Sequence, residues 1–279
     1  MSPPAVAIIG PGRVGLSLAR ALARSGSAPR VLARHERVLP DPLGDATVDW
    51  DAAIAAAGLV VIAVPDDMIP VVSAGLAERG IITRRHVVLH TSGLHGRSAL
   101  AALAPGGAGL GSWHPVQTFT DRDGDPLALS GAPVVIEGDD RALAAGRDLA
   151  ARLGLAPVLV ITGEQKAKYH AAAVFASNYI VVLSRIATRL GREAGLGPDA
   201  DTIFLPLVRR TAENLVHQAD GALTGPIARG DAGTVARHVA SLEGPTRTLY
   251  QLMGREALSI ARAAGLDDRA AAAIDAALK

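Results

Sequence analysis

Apolar, β-branched runs alternate with alanine- and leucine-rich stretches of helical spacing through the first half of the chain. Residues 5–10 (AVAIIG) are followed at once by a glycine-rich turn and by LSLARALARSG, whose leucines and alanines recur at three- and four-residue intervals. The unit reads strand, tight turn, helix. It repeats through PRVLAR, VDWDAAIAAAG, LVVIAVPDDMIPVVSAGLAERG and HVVLHTSG, and this alternation predicts a parallel sheet covered on both faces by helices. Residues 105–131, rich in Gly, Pro, Asp and Ser and holding GSWHPVQTF, predict an irregular segment packed over a site. PVVIEG and PVLVI, with DDRALAAGRDLAARLG between them, add two more strands and a helix.

From Thr162 the texture changes. TGEQ is a capping box, with Thr162 as N-cap and Gln165 at the third helical position, and it opens roughly 30 residues free of Pro and Gly before Gly191. One long helix is expected there, apolar nearly all round and therefore buried. The remainder reads as helices broken at GLGP, ALTGPIARGD, EGP and GLDD, the last one being RAAAAIDAALK.

Gly10-Pro11-Gly12-Arg13-Val14-Gly15 fits G-x-G-x-x-G, follows a predicted strand, opens a helix and leads to a second strand, the context that gives the motif its meaning. The glycines permit a tight turn and close approach of a pyrophosphate to the backbone at a helix N-terminus. The expected architecture is therefore α/β plus all-α: a Rossmann-type parallel sheet domain over residues 1–162 and a helical domain over 163–279. An acid at the end of the second strand would hold the ribose hydroxyls of NAD. The segment here is VLARHER, with Arg34 at the strand end, which favours the 2′-phosphate of NADP. Val64-Pro65-Asp66-Asp67 is expected to end the fourth strand, with Val64 and Pro65 shaping the cofactor groove and Asp66 capping the next helix. Thr91 would meet the cofactor from the fifth.

Composition narrows the chemistry. The 279 residues carry 28 Lys+Arg against 27 Asp+Glu, a net charge of +1, so no global field selects nucleic acid or an anionic membrane. Absence of cysteine excludes disulfides, thiolate metal sites and a cysteine nucleophile. The N-terminus MSPPAVAIIG has neither a basic region nor a long apolar stretch, so a cytoplasmic protein without a membrane anchor is expected. Lysine occurs only at 166, 168 and 279, leaving few candidates for any chemistry that needs an amine.

His90-Thr91-Ser92-Gly93 closes the fifth predicted strand at the edge where open parallel sheets bind ligands. Ser92 can act there, or with Gly93 simply turn the chain. His90 with His95 lacks a third metal ligand, and no metal is expected. Ser112-Trp113-His114-Pro115 offers Ser112 and His114 as hydrogen-bonding groups for a carbonyl or carboxylate. On the long helix, Lys166, His170 and Ser177 share one stripe with Asn178 at its shoulder, bordered by alanines that leave room for a ligand. Thr224, Gly225 and Arg229, in LTGPIARGD, form either a structural turn or a lid that binds substrate.

Assembled, GPGRVG, VPDD, HTSG, GSWHP with Phe119 beyond, YHAAAVFASNY and LTGPIARGD occur in an order that resembles a family joining a Rossmann-like domain to a helical domain of unknown function, DUF2520. That family is similar in architecture to pyrroline-5-carboxylate reductase, 6-phosphogluconate-type dehydrogenases and prephenate dehydrogenase, and some relatives are alternative ketopantoate reductases. The resemblance implies NADP(H), reduction of a small carbonyl or imine such as a keto acid, and a homodimer formed through the helical half. GSWHP and His170 with Ser177-Asn178 look like a loose version of a prephenate dehydrogenase pattern, with Asn178 where that family has a second histidine. The 6-phosphogluconate-type dehydrogenases place an asparagine four residues from their helix lysine, whereas Lys166 is followed at that interval by His170. The expected catalytic groups are His170, Asn178, Ser92 and His114, with either Lys166 or His170 as proton donor; Ser112, His114, Ser177, Thr224, Gly225 and Arg229 would hold the substrate. A prephenate dehydrogenase-like enzyme and a non-catalytic NADP(H) sensor or assembly module are the alternatives.

Overall fold

The computed structural model describes residues 4–279, the side chains of residues 219 and 220 excepted. By its internal contacts the chain divides into two compact units, one ending at Asn178 and one beginning at Tyr179.

The first unit is built on a sheet of order β2-β1-β3-β4-β5-β6-β7. Its strands are β1 (Val6–Ile9), β2 (Arg30–Leu32), β3 (Leu59–Ile62), β4 (Val87–His90), β5 (Gly109–Pro115), β6 (Val134–Gly138) and β7 (Val158–Val160). Helices α1 (Arg13–Arg24), α2 (Trp50–Ala56), α3 (Ile69–Glu78) and α4 (Asp140–Arg152) join them, and α5 (Lys166–Ala176) follows β7. The period-two alternation of the strands assigns the two cores. Ile8, Val61 and Leu89 pack with Leu18 and Leu22 of α1 and Leu149 of α4, while Ala7, Ile9, Val60, Ile62 and Val88 pack with Ile54 of α2 and Ile69 and Leu76 of α3. Strands buried on both faces read as unbroken apolar runs, the pattern of VAII and LVVI.

Three expectations change. No strand forms at VDW: Thr47 makes only an isolated bridge to Leu32, so the VPDD and HTSG segments follow the third and fourth strands. GSWHP is not an irregular loop but the end of β5, which pairs in parallel with β4 and antiparallel with β6. The glycines and the proline that suggested a loop serve packing instead. A β-carbon at Gly111 would lie 2.5 Å from the Glu137 carbonyl oxygen and 2.8 Å from Ala142 Cβ of α4. The sheet is thus parallel except at that one junction.

The capping box forms as expected: the Thr162 N–H donates to Gln165 Oε1 at 2.8 Å and the Thr162 side chain accepts in return. The long helix does not run unbroken. After a 3-10 turn at Gly163–Gln165, α5 stops at Ala176, Ser177 departs to φ −131°, ψ −70°, and α6 (Asn178–Glu193) begins. Nor is it buried all round, for Phe175 and Val181 are 66% and 62% exposed. Among the described residues the helical run Gly163–Glu193 is the one long and apolar enough to cross a membrane, yet its first turn carries Lys166, fully buried in the first unit.

The second unit contains the remainder of α6, α7 (Leu205–Gln218), α8 (Ala232–Ser241), α9 (Gly244–Ala263) and α10 (Asp268–Ala277). Ile227, Val235, Leu258, Ala271, Ile274 and Leu278 form its core. Asp231, the last residue of the LTGPIARGD loop, caps α8 by accepting the Thr234 N–H at 3.0 Å.

Trp113 is the largest fully buried side chain, and its indole N–H donates to the Gly146 carbonyl of α4 at 3.0 Å. Trp113→Ala should cost about 3–5 kcal/mol of unfolding free energy by urea titration; a loss under about 1 kcal/mol would show that this contact does not hold α4 to the sheet.

Candidate active site

Strand order reverses between β1 and β3, and there the turn after β1 meets the end of β3. Gly10 has φ +108°, and a β-carbon on it would lie 2.5 Å from the Ala63 carbonyl oxygen. Any other residue would close the crevice as well as strain the turn. Gly15, inside α1, packs directly against Gly10. Helix α1 has no side-chain cap at Gly12 and no acid in its first turn, so its opening N–H groups and dipole face outward uncompensated.

A cavity of about 560 Å³ opens at this point, lined by Gly10, Pro11, Gly12, Arg34, Val64 and Pro65 among the expected residues. Arg13 and Val14 begin α1 beside it, and Thr91 lies outside its lining, its N–H donating to the Ile62 carbonyl at 3.1 Å. Arg37, a turn beyond Arg34 in the sequence, also lines it, as do His35 and Trp50, which sequence reasoning missed. Arg37 donates to the Pro11 carbonyl at 3.2 Å, and the Trp50 indole to the Ala33 carbonyl at 2.8 Å. Trp50 could have been found only by knowing that α2 returns to the end of β2. A glycine cradle, bare helix N-terminus, basic edge and aromatic wall fit a dinucleotide.

Beside this crevice, the ends of β4 and β5 meet the first turns of α5. Lys166 is 1% exposed; its Nζ donates to the Ser92 carbonyl at 2.8 Å and to Ser112 Oγ at 2.9 Å. Burial lowers its pKa to about 8 against the opposing pull of the Glu137 and Asp66 carboxylates. The Ser92 hydroxyl donates to Asp66 Oδ2 at 2.9 Å and accepts the N–H groups of Leu94 and His95. Asp66 is therefore not the expected helix cap: the short 3-10 turn Asp66–Met68 has no side-chain cap, and the carboxylate is committed to Ser92. His90 is wholly buried, with Nδ1 accepting the Ser92 N–H at 3.2 Å and Nε2 donating to the Gly96 carbonyl at 3.0 Å. Both contacts are structural and require the neutral ring.

His114 Nδ1 lies 2.6 Å from the Tyr169 hydroxyl. Burial, then the charges of Lys166 and His170, lower the His114 pKa to about 4. His170 Nδ1 is buried without a hydrogen-bond partner, an uncommon and costly state for a polar atom. The structure thus gathers Ser92, Ser112, His114, Lys166 and His170, all named from the sequence, and adds Tyr169, for which the sequence gave no signal. Ser177 Oγ lies 2.7 Å from the Ala173 carbonyl and 2.9 Å from Asn178 Oδ1, so these two residues bond locally at the helix break. Thr224, Gly225 and Arg229 lie in the second unit, where the Arg229 N–H donates to the Gly225 carbonyl at 3.2 Å. Among the described residues no three His, Asp or Glu side chains gather as a metal site would require.

His90 and His114 both titrate near pH 4 in the folded chain and near 6.5 when unfolded. Between those values the unfolded chain binds more protons, so stability should fall as pH drops from 6.5 to 4. His114→Gln should flatten that dependence in urea titrations across the window; an unchanged slope would remove His114 as a contributor.

A Rossmann-like domain profile matches residues 3–115, and the profile described as "Domain of unknown function (DUF2520)" matches residues 132–257. Comparison with curated proteins gave no match. Among solved structures, the chain is similar to protein TM1727 from Thermotoga maritima (22% identity, TM-score 0.69, 93% of this chain and 99% of that one). It is also similar to the pyrroline carboxylate reductase of Plasmodium falciparum solved with NADP bound (12%, 0.61, 100% of both), and to an imine reductase variant from Myxococcus stipitatus in complex with NAD+ (15%, 0.55, 99% and 92%). At these identities the likeness establishes a shared fold.

Proposed function

From a chain that joins a Rossmann-like domain to a DUF2520 domain, we propose an NADP-dependent oxidoreductase acting on a small carbonyl or imine, a keto acid such as ketopantoate being one candidate. The observation that carries this reading is a buried amine and two imidazoles at the carboxyl edge of β4 and β5, beside the crevice where β1 and β3 part. A bound nicotinamide dinucleotide would supply or accept hydride there. Gly10, Pro11, Gly12 and the first turn of α1 would hold its pyrophosphate, Val64 and Pro65 its groove, and Arg34, with His35 and Arg37 nearby, a 2′-phosphate. Pyrroline carboxylate and imine reductases sharing the fold, with NADP or NAD+ in their structures, support the class of reaction.

The side chains of the chain supply the rest. Lys166 and His170 are the groups able to exchange a proton with the substrate; the Ser92 carbonyl and the Ser112 hydroxyl hold the amine in place, and Asp66 accepts from the Ser92 hydroxyl. His114 orients substrate by hydrogen bonding. Ser177 and Asn178, at the end of α5, are proposed to contact the substrate. A homodimer through the helical half is supported by exposed apolar side chains on α6 and α7, Val181 at 62%, Leu207 at 64% and Val216 at 81%. The reading is of a cytoplasmic protein without nucleic-acid or membrane partners.

His170→Ala should lower turnover at least about a hundredfold while leaving NADPH affinity unchanged; near-normal turnover would remove His170 from the chemistry. The assay is NADPH binding by calorimetry, followed by absorbance of the reduced nicotinamide as ketopantoate, prephenate and cyclic imines are added. Binding with no oxidation by any of them would favour the sensor reading. In the same assay Arg34→Ala should reduce the preference for NADPH over NADH about tenfold, and an unaltered preference would move the 2′-phosphate contact to Arg37 or His35.

A further inference from the structure

Two side-chain bonds tie α5 to β5 like successive rungs. Ser112 and His114, two residues apart, share one face of the strand, and Lys166 and Tyr169, three residues apart, share one side of the helix. The Lys166 amine donates to Ser112 Oγ at 2.9 Å, and the Tyr169 hydroxyl meets His114 Nδ1 at 2.6 Å. The Tyr169 and His114 rings stand edge to face at 80°, with centroids 5.6 Å apart. Because the first rung seats the helix on the strand, the backbone itself sets the second.

The second rung has a direction. A hydroxyl donor approaches its acceptor to about 2.5 Å, whereas an N–H donor to oxygen stops at about 2.7 Å, so at 2.6 Å the phenol gives the proton and Nδ1 receives it. The acidities of the two groups agree. Burial pushes the Tyr169 phenol up to about 12, so it holds a proton to donate. Burial, joined by the charges of Lys166 and His170 and opposed by that of Asp66, lowers His114 to about 4, so its ring is neutral. A neutral imidazole carries one N–H and one lone pair, and with Nδ1 engaged as acceptor the proton sits on Nε2. That nitrogen turns toward Gly93, where a β-carbon would lie 2.9 Å from it. It takes no protein partner among the described residues and, unlike His170 Nδ1, is not sealed from solvent.

We propose that Tyr169 is a positioning residue: its hydroxyl fixes His114 as the Nε2–H tautomer, so that the site presents a permanent hydrogen-bond donor to its ligand beside Gly93. This deepens the oxidoreductase reading and rests on it only for the identity of the ligand. A lone N–H takes an oxygen with a free lone pair, an oxo group or one arm of a carboxylate, and opposes the N–H of a protonated amine or imine. The same proton leaves Nε2 no lone pair with which to act as a base. His114 therefore orients a ligand oxygen and takes no part in proton transfer.

Nitrogen-15 NMR of histidine-labelled protein near pH 8, with no ligand added, reads the tautomer directly, the His114 signals being those lost in His114→Gln. The expected spectrum is a single Nε2–H tautomer with Nδ1 shifted as a hydrogen-bond acceptor; an Nδ1–H ring would overturn the proposal. In Tyr169→Phe the same ring should relax toward a mixture of tautomers, and an unchanged spectrum would show that Tyr169 does not set it. Fluorotyrosine in place of tyrosine throughout the chain supplies an independent check should Tyr169→Phe fold poorly. A more acidic phenol donates more strongly, so the Nδ1 signal should move further in the acceptor direction; no movement, or the reverse, would count against the phenol as donor. Turnover is a separate readout. With whichever compound oxidises NADPH, Tyr169→Phe should raise KM about tenfold, the worth of one hydrogen bond; an unaltered KM would sink the ligand-orienting role. If no compound does, the oxidoreductase reading is what fails, and the His114 spectrum still settles the tautomer.

Discussion

The first unit depends on a buried ammonium. Taking Lys166 out of water is costly unless its protons find acceptors, and two of them do, on the carbonyl of Ser92 at the end of β4 and the hydroxyl of Ser112 on β5. Those bonds seat the first turn of α5 on the sheet edge. Tyr169 and His170 sit three and four residues on, one helical turn from Lys166 and on the same side of α5. Their meeting with His114 and Gly93 follows from that anchorage. Asp66 and Glu137 lend the amine a compensating field, and Asp66 is itself held by the Ser92 hydroxyl, so three strand ends and one helix share a single polar knot.

The same constraint explains the composition of β5. Alternate residues must serve opposite purposes: Trp113 and Gly111 face α4, where the indole fills the core and the glycine admits close helix packing, while Ser112 and His114 turn toward the site. A strand made to do both has glycine, serine, histidine and proline in place of valine and isoleucine. Its partner β6 runs antiparallel and brings Glu137 opposite Ser112 in the register.

That division of labour also marks how far the sequence was readable. Period-two and helical patterning locate β1, β3, β4, α1 and α4, and the glycine motif locates the crevice, because local geometry and long-range packing there ask for the same residues. At β5 they do not. Gly, Ser and Pro chosen for packing and for the site mimic the composition of a loop, and the strand went unread. The apolar stretch around Phe175 and Val181 suggested burial, although those side chains are largely exposed in the single chain. The stripe of Lys166 and His170 was legible as a helix face. Its encounters with Ser92, Ser112 and His114 span more than fifty positions of chain, a separation that no spacing rule reaches, and Tyr169 was hidden for the same reason.

Lysine is so scarce that the buried amine has an unusual experimental visibility. Lys168 and Lys279 are exposed, whereas Lys166 is covered. An amine-directed acylating reagent applied to the intact protein would modify those two side chains quickly, and the interior position only when the helix lifts from the sheet edge. Mass spectrometry of a single peptide would then clock the opening of this region against an internal standard two residues away, without a ligand, a substrate or an engineered label.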